Sequence, residues 1–184
     1  MKLTTKDRIQ IALCTALLSI SSLIMIPIGP IPITLQVLFM ILIPALLGAK
    51  KGMLTIGLYL ALGLVGFPVF AGGMGGLQSL LKPSFGYLIG GFVIAAMIGS
   101  VANKNASFKS LVTISVISIP VLYSIGISYA YFLMNIVLET PISLSVLITT
   151  SISVFLPLDI IKAIVASFLA VRIRKAVGIK TIVS

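Results

Sequence analysis

Recurrent long apolar runs restrict the fold of this chain more than any other feature. The 184 residues are 59% hydrophobic and only 9% charged. The runs approach the length of a membrane-spanning helix, about 20 residues, and lack the alternating pattern of a membrane β-barrel. We therefore predict an all-α integral membrane protein, a six-helix transmembrane bundle with spans at 9–27, 33–48, 52–66, 84–102, 109–134 and 143–171. Residues 1–184 are expected to form one transmembrane domain, without a separate soluble domain.

The basic residues predict how this bundle is oriented. Cytoplasmic loops of membrane proteins carry an excess of Lys and Arg. With six spans, Lys82 stands alone on one side and Lys162 lies within a span. The opposite side holds Lys2, Lys6, Arg8, Lys50, Lys51, Lys104, Lys109, Arg172, Arg174, Lys175 and Lys180. Both termini are thus expected in the cytoplasm, and the loops 28–32, 67–83 and 135–142 are expected outside.

Composition excludes several functional classes. A formal charge of +10 does not indicate nucleic acid here, because the basic residues sit at helix ends rather than on one aromatic-rich face. The expected partner of these charges is the anionic surface of a lipid bilayer. The chain has no His and a single Cys, Cys14. Metal sites rich in His or Cys and the usual general base are therefore absent, and neither a metal nor another cofactor is predicted.

An acid and a base lie three residues apart in the last apolar run. Asp159 and Lys162 share a face at helical spacing and fall near the middle of the sixth span. Holding either charge in lipid is costly, so the pair should face the protein interior or a watered cavity. Pro157, just before them, removes one helical hydrogen bond and predicts an irregular backbone. This pair is a candidate ligand site, and the alternative is a salt bridge that only packs helices.

A glycine-rich segment follows the third span. Residues 66–76 combine aromatic side chains with glycines, which permit positive φ and close backbone approach. We interpret the segment as a lid over a ligand, with Gly73 presenting backbone groups and Phe67, Phe70 and Met74 excluding water. The alternative is a flexible connector.

Three further polar residues lie close to the predicted outer surface. Lys82 is the lone external base and therefore a candidate partner for an anionic ligand group, although a lysine that snorkels to the lipid surface is the alternative. Tyr87 places a phenol at the same mouth. Gln36, near the proline-rich outer turn, is a polar group that needs a partner inside the bundle.

Small residues four apart occur in three spans. Such patterns allow close helix approach, and they are most often used for packing within one chain. They are found at Ala12 and Ala16, at Gly86 and Gly90, and at Ala166 and Ala170.

Several of these motifs, in this order and spacing, resemble the BioY family, the biotin-binding S subunits of energy-coupling factor (ECF) transporters. The resemblance covers nearly the whole chain. The matching motifs are IPIGPIPITLQ at 26–36, LLGAKKG at 46–52, GFP at 66–68, AGGMGG at 71–76, PSFGY at 83–87 and LPLDIIK at 156–162.

The resemblance implies a six-helix plasma-membrane subunit that captures biotin from outside with high affinity and has no enzymatic activity. It implies docking on a transmembrane coupling subunit that carries two ATP-binding cassette ATPases. Asp159 and Lys162 then belong to the biotin site, and Ala12 and Ala16 contact the coupling subunit. Some relatives have Asn in place of Met74, a basic residue in place of Leu88, and glycines in place of Lys82 and Phe85.

Other functions stay open on the sequence alone. Within the same class, the alternative is an S subunit for another vitamin. An intramembrane enzyme is disfavoured because His is absent and no nucleophile–base pair is evident. A small stand-alone channel or facilitator is disfavoured because the spans carry one charged pair rather than a ring of charges.

Overall fold

The computed structural model describes residues 3–27, 31–104 and 106–178 and contains six helices, one at each predicted span. They are α1 Thr5–Leu23, α2 Gln36–Leu47, α3 Ala49–Val65, α4 Phe85–Lys104, α5 Phe108–Phe132 and α6 Leu144–Val177. Two short strands, β1 Met25–Ile26 and β2 Ile33–Thr34, lie between α1 and α2, and a 3-10 turn, Leu77–Leu81, precedes α4. The prediction of an all-helical, six-helix architecture is confirmed.

Not all of these helices have the length of a full membrane span. Within the described parts of the chain, three are long and apolar enough to cross a membrane: α4, α5 with its continuation to Val137, and α6. The helix α2 is apolar but shorter. The chain is therefore a membrane protein by helix length and composition.

The first two predicted spans were each too long at the turn that joins them. Helix α1 ends at Leu23, and β1 then pairs antiparallel with β2, so the predicted spans 9–27 and 33–48 each include strand residues. Pro27 and Pro32 explain the difference, because proline lacks an N–H and disfavours helix in the residue before it. Residues 28–30 of the predicted turn lie outside the described residues, as do Lys2 and Lys180 of the charge count.

The turn between α2 and α3 is tighter than predicted. Gly48, at φ 82°, ends α2 and directly precedes α3, which begins at Ala49 rather than at residue 52. A non-glycine residue rarely adopts this φ. Arg174 of α6 holds the same corner, because its Nη1 donates to the carbonyl oxygens of Ala45 and Leu46 at 3.0 Å each. These two carbonyls belong to the last turn of α2, which has no partner for them within the helix.

Small residues bring α4 close to its neighbours. A Cβ atom added to Gly86 would overlap Tyr129 of α5, and one added to Gly90 would meet Leu122 of the same helix. Ala166 and Ala170 of α6 are fully buried. The interpretation of these two patterns as packing within the chain is therefore confirmed.

Helix α6 is irregular where Pro157 predicted it. Its two α-helical parts, Leu144–Thr150 and Leu156–Val177, are separated by a π-helical turn, Ser151–Phe155. Proline has no N–H to donate to the preceding turn, and π-helical segments occur mostly as single wide turns inside α-helices, as here. The wide turn ends four residues before Asp159, which lies in the first turn of the second α-helical part and is buried.

Candidate ligand-binding cavity

A cavity of about 250 Å³ lies between the helices and the segments that connect them. This volume is near the lower end of the range for small-molecule sites, roughly 300 Å³. Its helical lining consists of Gln36, Val37, Met40, Phe85, Tyr87, Leu88, Tyr123, Phe155, Asp159 and Lys162. The connecting segments contribute Met25, Pro27, Ile31, Pro32, Ile33, Thr34, Phe70, Ala71, Met74, Ser79, Lys82 and Ser84.

The carboxylate of Asp159 is held by two side chains from different helices. Lys162 Nζ donates to Oδ1 at 2.9 Å, and the hydroxyl of Tyr123 on α5 donates to Oδ2 at 2.8 Å. Asp159 is only 3% exposed. Because a carboxylate offers about four acceptor positions, these two bonds leave room for a ligand donor. The predicted pairing of Asp159 with Lys162, and its position facing a cavity, are confirmed.

Tyr123 was not predicted as a member of this site. It lies in the middle of the predicted span 109–134, at about the same depth as Asp159 in its own span. This depth is the sequence signal that could have identified Tyr123 as a polar group in need of a partner. The pairing itself depends on how α5 packs against α6.

Gln36 is a second hydrogen-bonded polar group in the cavity wall. Its Nε2 donates to the hydroxyl of Tyr59 on α3 at 2.5 Å, and its Oε1 accepts from the hydroxyl of Thr34 at 3.3 Å. Gln36 is 6% exposed and Tyr59 is fully buried. The partner that Gln36 was expected to need is thus present.

Tyr87 connects α4 to the wide turn of α6. Its hydroxyl lies 3.4 Å from Ser151 Oγ, and its ring meets the ring of Tyr123 edge to face at a centroid distance of 6.1 Å. Edge-to-face pairs of this kind fix aromatic rings in place. The phenol of Tyr87 therefore lines the cavity, as predicted, beside Tyr123, whose hydroxyl binds Asp159.

The glycine-rich segment forms a tight turn in the wall of the cavity. The N–H of Phe70 donates to the carbonyl of Met74 at 2.9 Å, and Gly72 and Gly73 between them have φ of 76° and 71°. Phe70 and Met74 line the cavity, as the lid interpretation expected. Phe67 and Gly73 do not line it, and Phe67 is 55% exposed.

The 3-10 turn contributes two further polar side chains to the cavity lining. Lys82, at its end, lines the cavity, and so does Ser79 within it. Ser79 was not singled out in the sequence, since a serine beside a loop is a common surface residue. Its burial, at 3% exposed, is visible only in the folded chain.

Asp7, at the start of α1, is a second paired carboxylate that lies away from the cavity. Lys51 Nζ donates to its Oδ1 at 2.7 Å, and the hydroxyl and backbone N–H of Thr4 also bind this side chain. The Lys51 hydrogen bond, followed by those from Thr4, lowers the pKa of Asp7 to about 2 from an ordinary value of 3.8. Asp7 therefore matches Asp159 in chemistry but not in location.

Comparison with known proteins identifies the family. A family model described as the BioY family matches residues 1–179. The chain belongs to the BioY family. A similar relative is the biotin transporter BioY of Thermotoga maritima, 36% identical over 170 residues, with 92% of this chain and 96% of the relative covered.

Other BioY proteins agree with this assignment. The biotin transporter BioY of Lactococcus lactis subsp. cremoris is 35% identical over 161 residues, covering 83% of this chain and 82% of the relative. A crystal structure of the S-component for biotin from an ECF-type ABC transporter matches with a TM-score of 0.76 at 33% identity, covering 95% of each chain. The BioY family consists of transport proteins, which confirms the prediction that this chain is not an enzyme.

Proposed function

We propose that this chain binds biotin in the cavity and serves as the substrate-capturing S subunit of an ECF-type transporter. The observation that carries the proposal is the buried pair of Asp159 and Lys162, which faces the cavity together with Tyr123. The similarity to biotin transporters and to an S-component for biotin supports the choice of ligand.

The chemistry of biotin suits this arrangement. Its ureido ring has two N–H donors and one carbonyl acceptor, which match a carboxylate and an ammonium held side by side. A ring bound to both keeps its hydrogen bonds when it leaves water. The thioether ring and the valeryl chain require an apolar surrounding, which Met40, Phe70 and Phe85 supply.

The other end of biotin carries a carboxylate that stays charged at neutral pH. We place it beside Lys82, at the predicted outer mouth. The turn that contains Gly72 and Gly73 then closes over the bound ligand, with Phe70 and Met74 facing inward. Closure of a lid slows release more than entry, which favours high affinity.

The proposal includes an orientation in the plasma membrane. Both termini lie in the cytoplasm, by the distribution of Lys and Arg, and the chain crosses the membrane several times. The β1–β2 hairpin and the 3-10 turn both contribute residues to the cavity lining. Both belong to connections that are predicted to lie outside, so the cavity opens to the exterior. No cofactor is required in this scheme.

Energised uptake requires partner subunits, because the chain lacks a phosphate-binding loop for ATP. We propose that a transmembrane coupling subunit and two ATP-binding cassette ATPases supply the energy. Ala12 and Ala16 are exposed on α1, whereas Cys14 and Thr15 between them are buried. Two exposed small residues four apart permit a helix of the coupling subunit to approach closely.

Equilibrium binding of biotin to the purified chain tests the proposal. Asp159→Asn keeps the shape of the side chain but removes the charged acceptor, and should weaken binding by about 2–3 kcal/mol, or about 30- to 150-fold. Isothermal titration calorimetry measures this change. The matched control is Asp7→Asn, which alters the other paired carboxylate and should leave biotin affinity unchanged.

The same assay separates the alternatives. Normal biotin binding by a folded Asp159→Asn chain would make the pair purely structural. Binding of a different vitamin, with none of biotin, would identify an S subunit of another specificity. Saturable binding of neither ligand would favour a channel or facilitator.

A further inference from the structure

Two buried hydroxyls lack a hydrogen-bond partner among the residues that the structure describes, those of Ser79 and Ser115. Ser79 is 3% exposed, and Ser115 is fully buried. Buried polar groups are nearly always paired, because an unpaired one loses its hydrogen bonds to water without replacement. Ser79 lines the ligand cavity and Ser115 does not. A ligand can therefore supply the missing partner for Ser79 alone.

The backbone of the 3-10 turn places Ser79 and Lys82 together. Ser79 donates its N–H to the carbonyl of Gly76 at 3.0 Å and accepts at its own carbonyl from the N–H of Lys82 at 3.1 Å. In a 3-10 turn, residues three apart lie on the same side. Both side chains line the cavity, so a hydroxyl donor and an ammonium share one wall.

The charges of the cavity indicate what this wall binds. Its charged lining residues are Asp159, Lys162 and Lys82, and the first two neutralise each other as an ion pair. The remaining positive charge belongs to Lys82. A carboxylate pairs with an ammonium and also accepts hydrogen bonds from a neutral donor.

We propose that the Ser79 hydroxyl donates a hydrogen bond to the carboxylate of bound biotin, whose charge Lys82 balances. This assignment rests on the proposed function and adds a second contact at the acid end of the ligand. It makes the 3-10 turn the part of the protein that distinguishes a free acid from a neutral analogue.

The test compares biotin with biotin amide, a neutral analogue, by calorimetry on the purified chain. Ser79→Ala should weaken biotin about 10-fold, the effect expected for a hydrogen bond to a charged group, and should weaken the amide by a smaller factor, because the amide carbonyl still accepts a hydrogen bond but carries no charge. Retained binding of the amide also shows that the variant is folded. Ser115→Ala removes an equally buried unpaired hydroxyl outside the cavity and should leave both affinities unchanged.

A double substitution sharpens the result. Because Ser79 and Lys82 are assigned to one carboxylate, the combined loss in Ser79→Ala/Lys82→Ala should be smaller than the product of the two single losses. Unchanged biotin affinity in Ser79→Ala, or equal losses for the acid and the amide, would overturn the assignment while leaving the proposed function in place. Failure of the unaltered chain to bind biotin would overturn the proposed function and the assignment with it.

Discussion

The carboxylate of Asp159 illustrates how single residues determine the chemistry of the cavity. Lys162 binds one oxygen from the same helix, and Tyr123 binds the other from α5. Lys162 provides the counter-charge that a buried carboxylate needs. Tyr123 fixes the orientation of the carboxylate, because its own ring is held against Tyr87. The orientation of this carboxylate in the cavity is therefore set by the protein itself.

Tyr123→Phe should reveal this positioning role. The ring and its packing remain, but Oδ2 of Asp159 loses its donor, so we expect the free energy of biotin binding to weaken by about 1 kcal/mol, roughly fivefold. The control is Tyr131→Phe on the same helix, where the side chain is 41% exposed. Calorimetry should find no change in that control. Equal affinities in the two variants would show that Tyr123 does not position the carboxylate.

At the scale of elements, small residues determine where aromatic side chains pack. Gly63 of α3 has no Cβ, and the ring of Phe70 occupies the space that a Cβ would fill. Phe70 in turn contacts Tyr59 and Phe85 edge to face, with centroid distances of 5.3 and 6.0 Å. The glycine therefore allows Phe70 of the glycine-rich segment to pack against α3 while it lines the cavity.

Gly63→Ala should displace Phe70 and open the lid. Overpacking of this kind costs about 1–3 kcal/mol of stability, and biotin binding should weaken because Phe70 lines the cavity. Gly57→Ala, in the same helix, is the matched control, since its Cβ would lie 3.6 Å from Phe92, an ordinary contact.

The control should be neutral or should stabilise α3 by up to about 1 kcal/mol, because alanine favours helix more than glycine does. Thermal unfolding in detergent together with calorimetry measures both effects. A Gly63→Ala chain as stable as Gly57→Ala, with normal biotin affinity, would contradict the role of this contact.

At the scale of the whole molecule, two of the small-residue patterns face the interior of the bundle and one is exposed on its surface. The patterns in α4 and α6 are used inside the bundle, against Tyr129 and Leu122 of α5 or at fully buried alanines. The pattern in α1, Ala12 and Ala16, is exposed. In the proposed function this exposed pattern is the surface that docks on the coupling subunit, and α1 contributes no residue to the lining of the cavity.

Replacement of Ala12 or Ala16 by Trp should therefore separate capture from transport. A bulky side chain prevents close helix approach, so uptake of labelled biotin by cells that contain the coupling subunit and ATPases should be lost. Binding of biotin to the purified variant should remain normal. Ile117→Trp, at a 55% exposed position on α5, controls for bulk on the lipid face and should retain uptake. Loss of binding in the α1 variants would instead indicate a packing role.

The number of helices and the central charged pair could be predicted from the sequence because both depend on local spacing. Apolar runs of span length predict helices wherever they occur, and residues three apart share a helix face, as Asp159 and Lys162 do. The wide turn before Pro157 is equally local, since a missing N–H disturbs only the adjacent helical turn. The glycines at 72 and 73 likewise indicated their turn without knowledge of the fold.

Contacts between distant segments were decided only by the tertiary structure. Tyr123 and Asp159 are 36 residues apart, and Gln36 and Tyr59 are 23 apart, so no periodicity relates them. The hairpin that shortens α1 depends on pairing between Met25 and Thr34. The Ser79 hydroxyl is buried where the 3-10 turn meets the cavity, and it has no hydrogen-bond partner in the part of the chain that the structure describes. Each of these contacts forms when helices pack, because packing brings together groups that local sequence cannot relate.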